Sequence, residues 1–481
     1  MNMDKPLRRV AIFALLLIFG LMAQVNYVQG TQAKALQDDQ NNARRFGDIF
    51  KYPRGKILAG DLTLVDSTEH KNSTPKYGRK YAEGPVFAPI TGFFNGGASG
   101  LELSYNSLLS GRDKRLTTQR WFDSLIGKKP EGADIETTID PEAQRVAYKA
   151  LQASTTRRAA AVVMDVKTGA IKVMASYPSF DPNSFAPQTK EAGAKKFEAL
   201  NKDRNLRPAV NKVLHDNVAP GSSFKALIAA SALANGINKD SNVPAPSAYK
   251  LPGTSIDLPN SHEGGACGGL GTASLIATFA ESCNTTFGIL GAERLGPDKV
   301  IATAKKFAYD QRIEIEPDLK SVKSAFPKAD GAQTALASIG QGSNVATPLH
   351  MCLIAAAAGN DGKIMKPYLV QKVRAKDQSV VEEASPKELA KAMNEDQAGQ
   401  LADMMRQVVT DGTGKALRQF NIAGKTGTAD IDGVEFNNRW FVGFSPIEKP
   451  RYAFAVWTQG DGSGGEFAGP IAGKIMQAVR K

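Results

Sequence analysis

No charged side chain occurs between Val10 and Ala33, and the stretch is apolar through Val28 apart from Gln24 and Asn26. A helix of about 20 apolar residues crosses the hydrocarbon core of a bilayer, because its backbone N–H and C=O groups are satisfied within the segment. Val10 to Val28 is expected to be such a span. Before it, Lys5, Arg8 and Arg9 stand against Asp4 alone. That positive excess keeps a short tail, residues 1–9, in the cytoplasm and sends everything after about Gln29 outside. The competing reading is a cleaved signal peptide, since the most apolar part, Val10 to Ala23, is short and Thr31 and Ala33 could pass for a cleavage site. Both readings export the bulk of the chain.

With 481 residues, the exported part is long enough for a catalytic domain and a smaller one, each with its own core. The formal net charge of +12 suits a place beside an anionic membrane or wall polymer, although a well-solvated surface accounts for it equally. No basic run interleaved with aromatics points to nucleic acid. Residues 29–134 are polar and rich in Gly, Asn, Asp and Arg. They read as a small mixed membrane-proximal domain in which Arg54-Gly55-Lys56-Ile57 turns into a strand. Residues 135–481 read as the catalytic domain. Asp140-Pro141-Glu142 is a helix start with a capping carboxylate. Ala159 to Val166 and Ile171 to Ala175 make a hairpin around Lys167-Thr168-Gly169. Near the other end, Arg439 to Phe444 and Tyr452 to Thr458 are strands and Pro470 to Arg480 a helix. Strands at both ends with a helical middle predict an α+β fold, one antiparallel sheet packed between helices.

Three short strings carry the chemistry: Ser222-Ser223-Phe224-Lys225, Ser282-Cys283-Asn284 and Lys425-Thr426-Gly427. They match the S-x-x-K, S-x-N and K-T-G set of serine acyl-transferases that work without histidine. Each string also has a look-alike: S-x-x-K at Ser73 and Ser247, S-x-N at Ser104, K-T-G at Lys167. Context separates them. Serine and lysine three apart are neighbours only on a helix, and prolines at 75, 244 and 246 argue against one at the first two look-alikes. After Pro220-Gly221, by contrast, Ala226 to Ala234 is apolar on nearly every side and should be a buried helix with Ser222 near its N-terminus. Lys225, desolvated there, becomes a neutral base for the Ser222 hydroxyl. The Ser282 hydroxyl bridges the two lysines as a proton relay, and the Asn284 amide holds Lys225 and meets a substrate amide. Lys425 supplies positive charge for a substrate carboxylate, with hydrogen bonds from Thr426 and Thr428, and Gly427 leaves room for an extended substrate along the strand edge. The backbone N–H groups of Ser222 and Thr428 are the candidate oxyanion hole. Taken singly, each motif reads as ordinary structure: a helix cap with a solvated lysine, a helix-ending Ser and Asn, a turn.

With these motifs stand Arg54-Gly55-Lys56-Ile57, Thr138-Ile139-Asp140, Gly340-Gln341-Gly342 with Thr347-Pro348, Gly412-Thr413-Gly414 and Trp440-Phe441-Val442-Gly443. Over nearly its whole length the chain thereby resembles the class B penicillin-binding proteins, with a short layout similar to the PbpA type. The resemblance implies a monofunctional peptidoglycan D,D-transpeptidase of the penicillin-recognising, β-lactamase-like fold, with a role in cell wall synthesis and in cell shape or division. It implies that Ser222 is acylated by the penultimate D-Ala of a stem peptide, with loss of the terminal D-Ala, and is blocked by β-lactams. It implies no cofactor, and as partner a RodA/FtsW-like membrane glycan polymerase, because no family-type glycosyltransferase domain precedes the transpeptidase. Two departures stand out: the short membrane-proximal domain and Cys283 in the middle of S-x-N.

The cysteines are Cys267, Cys283 and Cys352. Outside the cell a bridge can persist, and one between Cys267 in a glycine-rich stretch and Cys283 would stabilise by roughly 3 kcal/mol and tie a loop to the site. Cys352 would then be a buried thiol in an apolar helix. Alternatively all three are small buried side chains. His70, His215, His262 and His350 are scattered without ligand spacing, so no metal is expected.

Other classes stay open. A D,D-carboxypeptidase or a β-lactamase hands the same acyl-enzyme to water. A penicillin-sensing scaffold keeps the fold and needs no nucleophile.

Overall fold

The structure, a computed structural model, describes residues 4–32, 50–71, 76–95, 97–116, 131–185, 190–203, 205–261, 265–431 and 433–479. Two units divide the chain, Met1–Pro53 with Thr68–Gly78, and Arg54–Ser67 with Arg79–Lys481. The first contains helix α1 (Asp4–Tyr27), which continues without a break so that Pro6–Gln32 is long and apolar enough to cross a membrane, its apolar window fully exposed. The look-alike at Ser73 and the histidine His262 lie outside the described residues.

Along the chain follow β1 (Ile57–Ala59), β2 (Leu62–Glu69), β3 (Tyr77–Tyr81) and β4 (Asp134–Thr137), then α2 (Pro141–Ser154), β5 (Ala159–Asp165) and β6 (Ile171–Tyr177). The middle holds α3 (Lys225–Ala234), α4 (Leu275–Ala280), α5 (Asn284–Ile289) and α6 (Pro348–Ala358). After them come β7 (Val370–Arg374), β8 (Val380–Glu383), α7 (Glu395–Thr410), β9 (Ala423–Ala429), β10 (Asn437–Ser445), β11 (Tyr452–Gly460) and α8 (Gly464–Val479).

The central sheet has five strands in the order β9-β10-β11-β5-β6, and every pairing is antiparallel. Side chains alternate across it, and both sides are covered. Ala159, Ala161 and Val163 join Ala143, Ala147 and Leu151 of α2 and Ile471 and Ile475 of α8 in one core. Ala160, Val162 and Met164 belong to the other core, with Leu349, Leu353 and Ile354 of α6. A sheet buried on both faces reads as a continuous apolar run, which is why all of β5 is buried. The α2 start is as expected: the Asp140 carboxylate accepts from the N–H groups of Glu142 at 3.1 Å and Ala143 at 3.0 Å. Lys167-Thr168-Gly169 forms the β5–β6 turn, with Asp165 Oδ1 accepting from Lys167 N and Thr168 N at 3.0 Å. Ser247 precedes a short strand, and Ser104 ends a five-residue helix. Helix α8 begins at Gly464, earlier than expected, and carries Pro470 inside it.

A second sheet runs in the order β8-β7-β4-β1-β2-β3 and takes strands from both 29–134 and 135–481. β4 straddles the expected boundary, pairs with β1 in parallel (Ile57↔Ile135) and takes β7 on its other side (Val373↔Ile135). Strands from residues 370–383 thus join those of residues 57–81 and 134–137 in one sheet. Short strands with unpaired edges recruit whatever strand the tertiary fold brings beside them, and local pattern does not show which.

Beside this sheet lies a buried charge cluster. Glu102 is wholly buried and meets Arg54 at 2.8 Å and Arg79 at 2.6 Å, while Arg54 also reaches Asn106 at 2.8 Å and stacks on the Phe94 ring at 3.7 Å. Burial by itself pushes the Glu102 carboxyl up, but the two guanidinium groups outweigh it and hold the pKa below the ordinary carboxylate range. Removing the carboxylate leaves two buried cations without a counter-charge. Glu102→Ala is therefore expected to lower stability by about 3–5 kcal/mol, read as a drop in the urea midpoint.

Candidate active site

Pro220 and Gly221 break the chain into a 3₁₀ turn, Gly221–Phe224, that runs directly into α3. Gly221 sits at φ +54°, and a side chain there would collide with the carbonyl of Thr428, so the turn and strand β9 can touch only through glycine. The Ser223 hydroxyl donates to Pro220 O at 2.6 Å, Gly221 N to Gly340 O at 2.9 Å, and the Trp440 indole to Ala219 O at 3.0 Å. These bonds fix the turn and give the Gly340 and Trp440 segments a purpose. Gly221, Ser223 and Phe224 are buried, whereas Ser222 is partly open. In a 3₁₀ turn residues i and i+3 lie one above the other, so Ser222 and Lys225 share a face. No hydrogen bond joins them.

Lys225 has no exposed surface, and its amine points at the second motif. It lies 2.6 Å from Ser282 O, 2.8 Å from Asn284 Oδ1 and 3.3 Å from Ser282 Oγ. Burial, and then the neighbouring charge of Lys425, push its pKa well below the ordinary lysine value. The two shorter contacts are to oxygens that only accept, so the amine donates to both, and its longer contact is to the Ser282 hydroxyl.

Ser282 follows α4 in the left-handed conformation, φ +63°, which is uncommon for a residue with a side chain. That twist turns its carbonyl and hydroxyl together toward Lys225. Among the described residues Ser282 makes no hydrogen bond to Lys425. Asn284 opens α5. Its Oδ1 accepts from Lys225, and its Nδ2 donates to Pro259 O at 3.1 Å and Ser261 Oγ at 3.4 Å. The preceding loop is held by more than Asn284. Asn260 Oδ1 accepts from Thr285 N at 3.1 Å, and a Cys267–Cys283 disulfide spans 6.3 Å between Cα atoms. Cys352 is a buried free thiol in α6.

Lys425, Thr426, Gly427 and Thr428 lie on β9, an edge strand that pairs on one side with β10 (Lys425↔Val442). Among the described residues no strand pairs with its other edge. Lys425 is fully buried 5.6 Å above the Phe279 ring, donates to Thr426 O at 3.1 Å, and is pushed down to about 7 by burial. Gly427 faces the Gly221–Phe224 turn, where a Cβ would fall 2.8 Å from Ser223 N. Thr428 Oγ1 accepts from Gly464 N at 3.2 Å.

Three separate stretches thus converge on one partly open serine, a buried amine and an edge strand. Residues 159–477 match the family described as the penicillin binding protein transpeptidase domain, and residues 54–135 the penicillin binding protein A dimerisation domain. The chain belongs to the penicillin-binding protein transpeptidase family. It is 34% identical to "Peptidoglycan D,D-transpeptidase PbpA" of Mycolicibacterium smegmatis over 99% of both chains. Its fold is similar to that of penicillin-binding protein A from M. tuberculosis in an imipenem acyl-enzyme complex, with TM-score 0.84, 31% identity, and coverage of 90% of this chain and 100% of that one. The penicillin G acyl-enzyme complex of that protein matches with TM-score 0.83, 30% identity, and coverage of 89% and 100%.

Asn260 carries no signal in the motifs and acts through a loop. Thr413 stands in the Gly412-Thr413-Gly414 string already noted in the sequence, but its contact with Thr426 is supplied only by the fold.

The Lys425 shift has a consequence for stability. Between about 7 and the ordinary 10.5 the unfolded chain binds a proton at this lysine and the native state does not, so stability rises with pH across that window. Lys425→Met removes the contribution. The gain in urea midpoint between pH 7 and 9 is expected to be smaller in the variant than in the parent.

Proposed function

We propose that Ser222 is the acylated nucleophile and Lys225 its base, in a peptidoglycan D,D-transpeptidase of cell wall synthesis. The observation that carries this is the Lys225 amine, withdrawn from water, one turn from Ser222 and gripped by Ser282 and Asn284. The Ser222 oxygen attacks the carbonyl of the penultimate D-Ala of a stem peptide, and its proton passes to the Lys225 lone pair, directly or through Ser282 Oγ. The new C–O bond forms as the C–N bond to the terminal D-Ala breaks, and the leaving amine takes the proton. The backbone N–H groups of Ser222 and Thr428 hold the developing oxyanion. An amine from a neighbouring strand then attacks the ester and returns the proton to Ser222. A β-lactam opens its ring amide on the same serine and stays attached.

Thr426 and Thr428 bind the substrate carboxylate with Lys425, which a bound anion brings back toward its charged form. The apolar N-terminal helix anchors the protein, and Lys5, Arg8 and Arg9 place the catalytic domain on the wall side. A RodA/FtsW-like membrane polymerase supplies the glycan strands.

Incubation with penicillin G should add one antibiotic mass to the intact protein, mapped to the peptide carrying Ser222, and Ser222→Ala should add none. With a stem peptide and an acceptor amine the parent protein should form the amide-linked product. An adduct on another residue would overturn the nucleophile, and hydrolysis without crosslinked product would make the protein a carboxypeptidase.

A further inference from the structure

The string Gly412-Thr413-Gly414 lies between the second and third motifs. Helix α7 ends at Thr410, and a Cβ at Gly412 would strike Ala280 O at the root of the second motif. Thr413 N donates to that same carbonyl at 3.2 Å, and Gly414 N returns to Val408 O at 2.9 Å. With its backbone pinned, Thr413 directs its hydroxyl at the third motif, where Thr413 Oγ1 and Thr426 Oγ1 are 2.6 Å apart. Gly465 closes the other side of the pair, since a Cβ there would lie 3.1 Å from Thr413 O and 3.4 Å from Thr426 Cγ2. Among the described residues neither hydroxyl has another hydrogen-bond partner.

We infer that Thr413 is a positioning residue for recognition of the substrate carboxylate, acting through Thr426. This rests on the reading that substrates lie along β9. Two hydroxyls in contact share one proton between them and leave the other free to point outward. A carboxylate only accepts, so Thr426 must donate to it. Thr426 Oγ1 then accepts from Thr413, and the chain runs Thr413 to Thr426 to carboxylate. Each bond in such a chain polarises the next, so the Thr413 hydroxyl strengthens a bond it does not touch. Without it Thr426 is free to rotate its proton away from the substrate.

The test compares acylation rate constants for penicillin G and its methyl ester, which lacks the anionic carboxylate, in the parent, Thr413→Val, Thr413→Ser, Thr426→Val and the Thr413→Val/Thr426→Val double variant. Thr413→Val is expected to lower the acid-to-ester ratio about tenfold. Thr413→Ser should restore it to within about twofold, and the double variant should match Thr426→Val alone. The ratio is internal to each variant, so partial unfolding leaves it unchanged. Equal loss for acid and ester, failure of serine to restore the ratio, or additive losses in the double variant would overturn the role of Thr413. Absence of a Ser222 adduct in the parent would sink the transpeptidase reading and this one with it.

Discussion

Two lysine amines, Lys225 and Lys425, are held entirely out of water within one site. Burial favours the uncharged form of each, and a proton on Lys425 further discourages one on Lys225. Position alone thereby lowers the pKa of both amines. A lysine on a solvated helix face would stay charged and offer no lone pair. The apolar character of α3, the aromatic rings of Phe279 and Phe287, and the strained Ser282 backbone all serve that withdrawal.

The withdrawal depends on a scaffold that does not yield. The central sheet is packed by helices on both faces, so β9 is presented at one edge of a rigid slab. Close packing transmits small displacements, so a shift of β9 would be felt at the Gly221 turn that touches it. The second motif is flanked by Phe279 and Phe287 of the main core and is tied to its own loop through Asn260, Asn284 and the Cys267–Cys283 bridge. The geometry therefore joins a stiff strand and turn to a tethered loop.

The second sheet follows another logic. Its strands come from the segment before the catalytic sequence and from inside that sequence, and the buried Arg54, Arg79 and Glu102 cluster supplies polar order beside them. Paired buried charges are geometrically demanding, since each lone pair and proton needs a partner in place. Asn106 is drawn into that order, and so the Ser104 look-alike of the second motif is accounted for by structure.

The amino-acid sequence by itself determined the apolar N-terminal helix, the antiparallel sheet between helices, the α2 cap, the β5–β6 turn, and which copy of each motif belongs with the buried helix. All of these follow from local chemistry: hydrophobic period, proline and glycine placement, a capping carboxylate. Only the tertiary structure decided that β7 and β8 join the sheet of β1 to β4, that the Lys225 amine also takes the Ser282 carbonyl, and that Thr413 meets Thr426. Those contacts join residues far apart in the chain or depend on where a side chain ends. Periodicity says which face a residue occupies, and it is silent on what lies opposite.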